Sequence, residues 1–321
     1  MINYDISKTV KKGDTMGIIA PSSPYKPESK DSLNFEIDKI KRTIESFGYK
    51  VKMGDTCYLS YKGYLAGDDN TRVKDIETMF NDKEVDGILC LRGGYGTPRI
   101  LDKINYDIIK ANPKVFIGYS DITALHIAFN QYCNLVTYHG IMASTSPNWH
   151  DFTYNSFKNM INMKDTLAIE NPMGEELYTI VEGVTEGKII GGNLSLIAST
   201  MGTKYEIDTK DKILFIEEVG EQIYRIDRML TQLELGDKFK DCRGIIFGDF
   251  EDCKKEKADD YELYDLLSDR VKKYNKPCIY NLQSGHCNPM ISIPLGVNCK
   301  LDATNKIYIL VDRKSSYINF M

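Results

Sequence analysis

The chain of 321 residues lacks the features that would place it among membrane, secreted or nucleic-acid-binding proteins. It contains no apolar run of about eighteen residues, so we expect no transmembrane helix. Its beginning has no apolar core of the kind found in signal peptides, which favours a cytoplasmic location. The net charge is only −5, and no clustered basic surface is apparent. We therefore expect neither nucleic acid nor a membrane as a partner.

The sequence also has little that would hold a metal, a disulfide or a dinucleotide. None of its eight cysteines forms a CxxC pair, and none has zinc-like spacing to one of the four histidines. We expect reduced thiols and no metal. The glycines at 93–96 and 191–192 do not supply a GxGxxG motif that opens a helix, which argues against a Rossmann cofactor.

What the first half does contain is an alternation of short apolar strands with helices. Hydrophobic residues make up 42% of the chain and charged residues 27%, as in globular proteins, and the length suits two domains. Nearly continuous apolar strands indicate a mostly parallel sheet that is covered by helices on both faces. The pattern predicts strands at 16–20, 50–53, 85–91, 114–119 and 135–138, and helices at 30–47, 69–80, 98–101 and 121–132.

The second half has a different texture, which begins after a polar, asparagine-containing stretch at 149–172. We predict an N-terminal α/β domain over 1–155, a linker over 156–172, and a C-terminal α/β domain over 173–321 that is richer in β structure. The patterns predict strands at 212–217, 244–248, 278–282 and 307–311, and helices at 193–200, 223–235 and 261–274.

Ser120 is the leading candidate for a catalytic nucleophile. A predicted strand leads directly into Gly118-Tyr119-Ser120-Asp121, and a helix follows, which is the arrangement of a nucleophile elbow. The Asp121 amide, at the positive end of that helix, would then be a donor for an oxyanion. Ile122 replaces the second glycine of the usual motif, so a plain helix N-cap is the alternative interpretation of Ser120.

A glycine-rich loop follows the preceding strand, with the sequence Arg92-Gly93-Gly94-Tyr95-Gly96. Glycines at this position allow the backbone to adopt positive φ and to approach a ligand closely. Gly94 is our first choice for a second oxyanion donor. The alternative is an ordinary tight turn.

A serine nucleophile needs a base, and histidine is the usual one. Of the four histidines, His126 lies inside the helix after Ser120 and is expected in the core, whereas His150 lies in the polar stretch. His139 ends a predicted strand, and His286 lies in a loop shaped by glycine and proline. Both His139 and His286 remain candidates on this reasoning.

A carboxylate should orient the histidine, and Glu217 and Glu218 end a buried strand. A carboxylate at such a position is expected to have a partner. The alternative is an ordinary ion pair with Arg225 or Arg228. Cys287 is a possible rival nucleophile, although it is adjacent to His286 and adjacent side chains rarely pair.

Blocks that extend almost from end to end resemble the serine LD-carboxypeptidases, a family that includes the microcin C self-immunity peptidases. Several blocks in the correct order are more specific than any single one. The matching blocks are GIIAPSSP, LRGGYGTPRIL, IGYSDITAL, YHGIMAS, GKIIGGNLSLIASTMGT, ILFIEEVGEQIYRIDRMLTQL and SGHCNPMISIPLGV.

The resemblance implies a triad of Ser120, Glu217 and His286 drawn from two domains, with backbone oxyanion donors at Gly94 and Asp121. It favours His286 over His139. It also implies hydrolysis of the amide between an L-centre and a terminal D-amino acid, which would release D-alanine from a murein tetrapeptide during cell-wall recycling. The resemblance implies no metal or organic cofactor. It also implies that the protein forms a homodimer.

Two further predictions concern the substrate. A carboxypeptidase must bind a free carboxylate, for which Arg92 and Arg225 are candidates because arginine can bind it with two hydrogen bonds. An immunity-type peptidase that cleaves a peptidyl-nucleotide antibiotic is the alternative function, although the EEVGE sequence from Glu217 to Glu221 looks more like the carboxypeptidase branch. A non-catalytic ligand-binding protein with the same fold is the alternative of a different class.

Overall fold

The computed structural model describes residues 9–27, 32–162, 167–305 and 309–311. The chain divides into two units, Met1–Asn162 and Met163–Met321. Each unit has its own sheet with helices beside it, which confirms the predicted pair of α/β domains. Within the described ranges, no helix is long and apolar enough to cross a membrane.

The first unit is built on five parallel strands in the order β5-β4-β3-β1-β2. Strands β3 and β4 are buried at every position, as expected where helices cover both faces of a sheet. The predicted mostly parallel sheet is therefore confirmed. The strands are β1 (Thr15–Ile19), β2 (Lys50–Met53), β3 (Gly87–Cys90), β4 (Val115–Gly118) and β5 (Thr137–His139).

Four of the five α-helices described in this unit begin at a side-chain cap, and the exception is the helix that starts at Thr123. In the first of them, the Ser32 side chain accepts a hydrogen bond from the Phe35 N–H, and three isoleucines at helical spacing are buried. Residues 97–100 and 120–122 form 3₁₀ turns rather than α-helix. The helices are α1 (Leu33–Ser46), α2 (Asp69–Asn81), α3 (Tyr106–Ala111), α4 (Thr123–Cys133) and α5 (Asp151–Ile161).

The segment expected as a linker contains regular structure. Helix α5 occupies residues 151–161 and buries Phe157, Met160 and Ile161, while His150 caps its beginning through Nδ1. A short strand, β6 (Leu167–Ile169), follows. The many polar residues of this stretch concealed an apolar stripe at helical spacing, which is why the sequence predicted no helix here.

The second unit has an eight-stranded mixed sheet in the order β6-β14-β13-β8-β9-β10-β11-β7. The four central strands are parallel, and antiparallel strands flank them on both sides. This confirms the prediction of more β structure. Besides β6, the strands of this sheet are β7 (Tyr178–Val181), β8 (Val184–Asn193), β9 (Lys212–Val219), β10 (Gly244–Glu251), β11 (Cys278–Tyr280), β13 (Asn298–Asp302) and β14 (Ile309–Val311). A further short strand, β12 (Ile293–Leu295), is not part of this sheet.

Four helices are described in this unit, and three of them, α6, α7 and α9, coincide with predicted helices within a few residues. The predicted strand at 307–311 begins outside the described residues, and only β14 of it is described. The sequence analysis did not foresee β6, β7, β8, β12 or β13. The helices are α6 (Leu194–Ser199), α7 (Ile223–Leu235), α8 (Lys238–Asp241) and α9 (Leu263–Val271).

Candidate active site

Ser120 occupies a sharp turn between β4 and α4. Its φ is 63°, in the left-handed region that residues other than glycine rarely adopt. The turn is closed by a hydrogen bond of 3.3 Å from the Ile122 N–H to the Tyr119 carbonyl oxygen. Such strain persists only where the surrounding structure imposes it, and it is concentrated at functional sites. Ser120 is also not the N-cap of the 3₁₀ turn or of α4, since Tyr119 and Ile122 occupy those positions.

The glycine-rich loop packs directly against this serine. A Cβ atom placed on Gly93 would lie 2.9 Å from Ser120 Cβ and 3.1 Å from its Oγ. At Gly94 the φ is 119°, and a Cβ atom there would overlap the Ser23 side chain. Only glycine fits both positions, so this loop is more specialised than an ordinary tight turn.

Both backbone amides that were predicted as oxyanion donors have no acceptor among the described residues. These are the N–H groups of Gly94 and Asp121. Unpaired backbone donors beside a nucleophile are what an oxyanion hole requires.

The Asp121 side chain has a structural task that the sequence did not reveal. It is buried, and its Oδ2 accepts hydrogen bonds from Ser22 Oγ at 2.5 Å and from the Thr97 N–H at 2.9 Å. The Thr97 hydroxyl donates in turn to the Asp121 carbonyl oxygen. Asp121 thereby joins the loop after β1, the loop after β3 and the turn that carries Ser120.

Arg72, on α2, connects the loop after β1 with the loop after β3. Its buried guanidinium donates from Nη1 to the carbonyl oxygens of Pro21 and Gly96, each at 2.8 Å. Its Nη2 pairs with Asp69 at 2.6 Å. A buried arginine in a helix carries no sequence signal of this role, because its acceptors are backbone oxygens from distant segments.

The two histidines of β5 and α4 are both buried. The Nε2 atom of His126 lies 2.9 Å from the Gly118 carbonyl oxygen, and burial lowers the pKa of this imidazole to about 4. The prediction that His126 packs in the core is confirmed. His139 is completely buried, with its ring centroid 6.0 Å from that of Tyr119.

In the second unit, neighbouring glutamates of β9 have different surroundings. Glu218 is saturated with hydrogen bonds, since Oε2 accepts from the Ser195 N–H at 2.8 Å and from its hydroxyl at 2.7 Å. Its Oε1 accepts from Asn193 Nδ2 and the Val219 N–H, each at 2.9 Å. This carboxylate therefore holds the beginning of α6.

Glu217 forms a hydrogen bond with His286. Nδ1 of the imidazole donates to Glu217 Oε2 at 2.8 Å, and the Glu217 side chain is fully buried while that of His286 is 17% exposed. Burial opposes a charge on His286, but the bond to Glu217 and the negative charges of Glu217, Glu218 and Asp249 outweigh it and raise its pKa. A carboxylate that fixes Nδ1–H leaves Nε2 as the basic nitrogen of a neutral imidazole.

The alternative interpretation of Glu217, an ion pair with Arg225 or Arg228, is not observed. Arg225 pairs with Glu221 at 3.5 Å and is exposed, and Arg228 lies over the Tyr224 ring. Arg92, the other arginine predicted to bind substrate, lies in the first unit and donates to the Pro24 carbonyl oxygen at 3.2 Å.

The surroundings of Cys287 argue against its role as a rival nucleophile. Burial, reinforced by the charge of Asp249, raises the pKa of its thiol well above the usual value. Because the thiolate is the reactive form, this environment makes the cysteine inert at neutral pH. All eight cysteines are free thiols, and the described residues contain no group of three or more His, Cys, Asp or Glu side chains that could hold a metal ion.

Comparison with known families agrees with this division into units. Residues 16–140 match the LD-carboxypeptidase N-terminal domain, and residues 186–301 match the LD-carboxypeptidase C-terminal domain. The chain belongs to the LD-carboxypeptidase family. This membership confirms the resemblance read from the sequence and supports a serine-type carboxypeptidase.

Individual relatives are similar to this chain over nearly its whole length. A probable murein peptide carboxypeptidase of Bacillus subtilis is 40% identical over 96% of this chain and 95% of its own. The microcin C7 self-immunity protein MccF of Escherichia coli is 28% identical, with 92% of each chain covered.

Solved structures show the same fold. MccF in complex with glutamyl sulfamoyl guanosine superposes with a TM-score of 0.86 at 23% identity, over 95% of this chain and 98% of that one. The muramoyltetrapeptide carboxypeptidase of Oxalobacter formigenes superposes with a TM-score of 0.78 at 25% identity, over 93% and 98% of the two chains.

One acidic residue near the histidine of this LD-carboxypeptidase family member was missed by the sequence analysis. Asp249 lies near the end of β10, is 9% exposed, and has a pKa raised to about 6, chiefly by burial. The reasoning that singled out Glu217, a carboxylate at the end of a buried strand, would have found Asp249 in the sequence GIIFGDF.

Proposed function

We propose that this chain is a serine LD-carboxypeptidase that releases D-alanine from murein tetrapeptide by hydrolysing the amide between an L-centre and the terminal D-residue. The observation that carries the proposal is the 2.8 Å hydrogen bond between His286 and Glu217. The strained turn at Ser120 and the relative named as a probable murein peptide carboxypeptidase support it. Cell-wall recycling in the cytoplasm is the proposed setting.

In this proposal Ser120, Glu217 and His286 act as the catalytic triad. His286 takes the Ser120 hydroxyl proton on Nε2 while Oγ attacks the scissile carbonyl carbon, and Glu217 holds the imidazole through Nδ1. His286 then gives the proton to the leaving D-alanine amine. Water deprotonated by the same nitrogen attacks the acyl-enzyme, and the proton returns to Ser120.

The amides of Gly94 and Asp121 are the proposed oxyanion donors. Their lack of any other acceptor within the described part of the chain supports this role. Donors held rigidly at the place where negative charge develops need no reorganisation during the reaction. Asp121 would serve twice, since its carboxylate secures the turn while its amide faces the substrate.

Arg92 and Arg225 remain the proposed partners of the substrate carboxylate. Arg92 is the stronger of the two, because it lies in the loop that contacts Ser120 through Gly93. Arg225 is exposed and engaged with Glu221 and Tyr224. The homodimer and the domain bounds 1–155 and 173–321 also stay proposals.

The decisive experiment measures D-alanine released from murein tetrapeptide by the purified protein. The wild type should release one D-alanine per tetrapeptide, and Ser120→Ala should release none. Ser199→Ala, which removes an exposed hydroxyl from α6, is a matched control that should retain full activity. A folded wild-type protein that releases no D-alanine across the neutral pH range would exclude the proposed function.

Immunity-type cleavage of a peptidyl-nucleotide is the second candidate, favoured by 28% identity to MccF over 92% of this chain. Both substrates would require the same triad. Turnover of murein tetrapeptide and of an aminoacyl sulfamoyl nucleoside, measured side by side, distinguishes the two. The larger kcat/KM identifies the physiological substrate class.

A further inference from the structure

A β-bulge in β10 lies opposite Glu217, the candidate triad carboxylate. Phe247 pairs with Ile216 and Phe250 pairs with Glu218, so two residues of β10 stand opposite Glu217 alone. Those two residues are Gly248 and Asp249. Bulges re-aim side chains and are frequent next to active sites. The bulge therefore places Asp249 next to Glu217 on the neighbouring strand.

The loop that carries His286 packs onto this bulge. The Asp249 N–H donates to the Ser284 carbonyl oxygen at 3.1 Å, and a Cβ atom on Gly248 would lie 2.4 Å from that same oxygen. A Cβ atom on Gly285 would lie 3.0 Å from Glu217 Oε2 and 3.2 Å from Asp249 Cβ. Glu217 and Asp249 therefore converge on the residue that precedes His286.

One oxygen of the Asp249 carboxyl group is buried without a hydrogen-bond partner. The residue is 9% exposed, and its Oδ2 atom has no partner among the described residues, while a backbone hydrogen bond from Glu251 to the carboxylate lowers its pKa. Leaving a buried carboxylate oxygen without a hydrogen bond is costly, so the position of Asp249 calls for an explanation. The Oε1 atom of Glu217 is also buried and unpartnered in the described part of the chain.

The charges around His286 come from two strands. Glu217 and Glu218 act from β9, Asp249 and Glu251 lie on β10, and the Cys287 thiol is adjacent in the loop. Burial is the largest cause that raises the pKa of Asp249, followed by the negative charges of Glu251 and Glu217. The charge of His286 lowers the pKa of Asp249. A positive charge on His286 therefore offsets part of the cost of burying this carboxylate, together with the backbone hydrogen bond from Glu251.

We propose that Asp249 is a positioning residue that acts through His286, as a second carboxylate that stabilises the imidazolium formed when His286 takes the Ser120 proton. Glu217 supplies the hydrogen bond and Asp249 supplies charge without one. The catalytic consequence rests on the proposed function, but the electrostatic coupling between Asp249 and His286 does not.

Coupling of this kind has a signature in the titration of His286. Since the Asp249 pKa lies at about 6 and that of His286 is raised above its usual value, the two groups exchange protons over adjoining pH ranges. Two interacting groups titrate with macroscopic values that belong to the pair. The wild-type His286 curve should therefore be broader than a one-proton curve.

The experiment follows the imidazole resonances of the full-length protein by NMR between about pH 4 and pH 9, with His286 assigned by its disappearance in His286→Gln. In Asp249→Asn the His286 midpoint should fall by roughly half a unit to one unit, and the curve should become a one-proton curve. Glu251→Gln, which removes an exposed charge from the same strand, should shift the midpoint much less.

The wild-type curve shape tests the proposal even if the variants fail to fold. A one-proton wild-type curve, or an unchanged midpoint in a folded Asp249→Asn, would overturn it. In active preparations, the acidic limb of kcat/KM should move to lower pH in Asp249→Asn by the same amount as the NMR midpoint. A protein that shows the NMR coupling but releases no D-alanine would refute the proposed function and leave this inference standing.

Discussion

The Nδ1 atom of His286 lies 2.8 Å from Oε2 of Glu217, whereas the adjacent Glu218 makes no hydrogen bond to that imidazole in the described structure. Two neighbouring, fully buried glutamates of one strand therefore have separable tasks. One orients a histidine and the other holds the beginning of a helix.

The pair Glu217→Gln and Glu218→Gln separates catalysis from stability. Glu217→Gln should lower kcat by about 10³ to 10⁴, because an amide no longer fixes the productive tautomer of His286. Glu218→Gln should leave kcat within a few-fold but lower the free energy of unfolding by about 1 to 3 kcal/mol, since it disturbs buried hydrogen bonds at Ser195 and Asn193. Steady-state kinetics and urea unfolding measure the two effects. Equal activity losses in both variants would contradict the assignment.

Strain at Ser120 makes a prediction about stability that is independent of substrate. At φ 63° a glycine is relaxed and an alanine is not. The free energy of unfolding of Ser120→Gly should therefore be about 1 kcal/mol higher than that of Ser120→Ala. Both variants should be inactive. Urea titrations of the two proteins provide the measurement, and equal stabilities would mean that the turn is not strained.

Gly93→Ala should damage the nucleophile through contact alone. The added Cβ would lie 2.9 Å from Ser120 Cβ, which belongs to the main-chain turn and cannot rotate away. We expect kcat/KM to fall by about 10²-fold, the size of effect that follows a displacement of about 1 Å.

Gly63→Ala is the matched control for this change. Gly63 has a φ of 81° and open space around its Cβ position, so alanine there should cost about 1 kcal/mol of stability and no activity. A Gly93→Ala variant as active as this control would show that the loop moves freely away from Ser120.

The lowered pKa of the buried His126 leads us to expect a loss of stability in mild acid. Its folded-state pKa is about 4 because of burial, while an unfolded histidine titrates near 6.5. The unfolded chain thus binds more protons between these values, and the free energy of unfolding falls by up to about 3 kcal/mol as the pH drops through that window. His126→Gln should flatten this part of the pH profile, which urea unfolding at each pH would detect.

His286 has the opposite sign and does not obscure this test. Its pKa is raised in the folded state, so its stabilising contribution is complete below the unfolded value near 6.5 and is lost as the pH rises through the folded value. If His126→Gln has the same slope as the wild type between about pH 4 and pH 6.5, the buried imidazole is not the cause.

Much of the architecture follows from short-range patterns. Apolar runs predicted β1, β3, β4 and β9, and helical spacing predicted α1, α2 and α7 within a few residues. The polar stretch at 149–172 gave the least guidance, since the buried face of α5 is distributed among asparagines and other polar residues. Patterns of this kind are local, and local propensity is what the sequence expresses directly.

By itself, the sequence determined the candidate serine, its turn and the family, because these depend on contiguous residues such as IGYSD. The family resemblance already implied Glu217, but only the tertiary structure shows its contact with His286, which is 69 positions away. The tertiary structure also revealed the carboxylate of Asp121 and the guanidinium of Arg72 as ties between loops, and Asp249 beside Glu217. The contacts of Asp121 and Arg72 join segments that are far apart in the sequence, and the place of Asp249 beside Glu217 depends on a bulge between two strands. Such contacts are set by the packing of the whole unit rather than by any local run of residues.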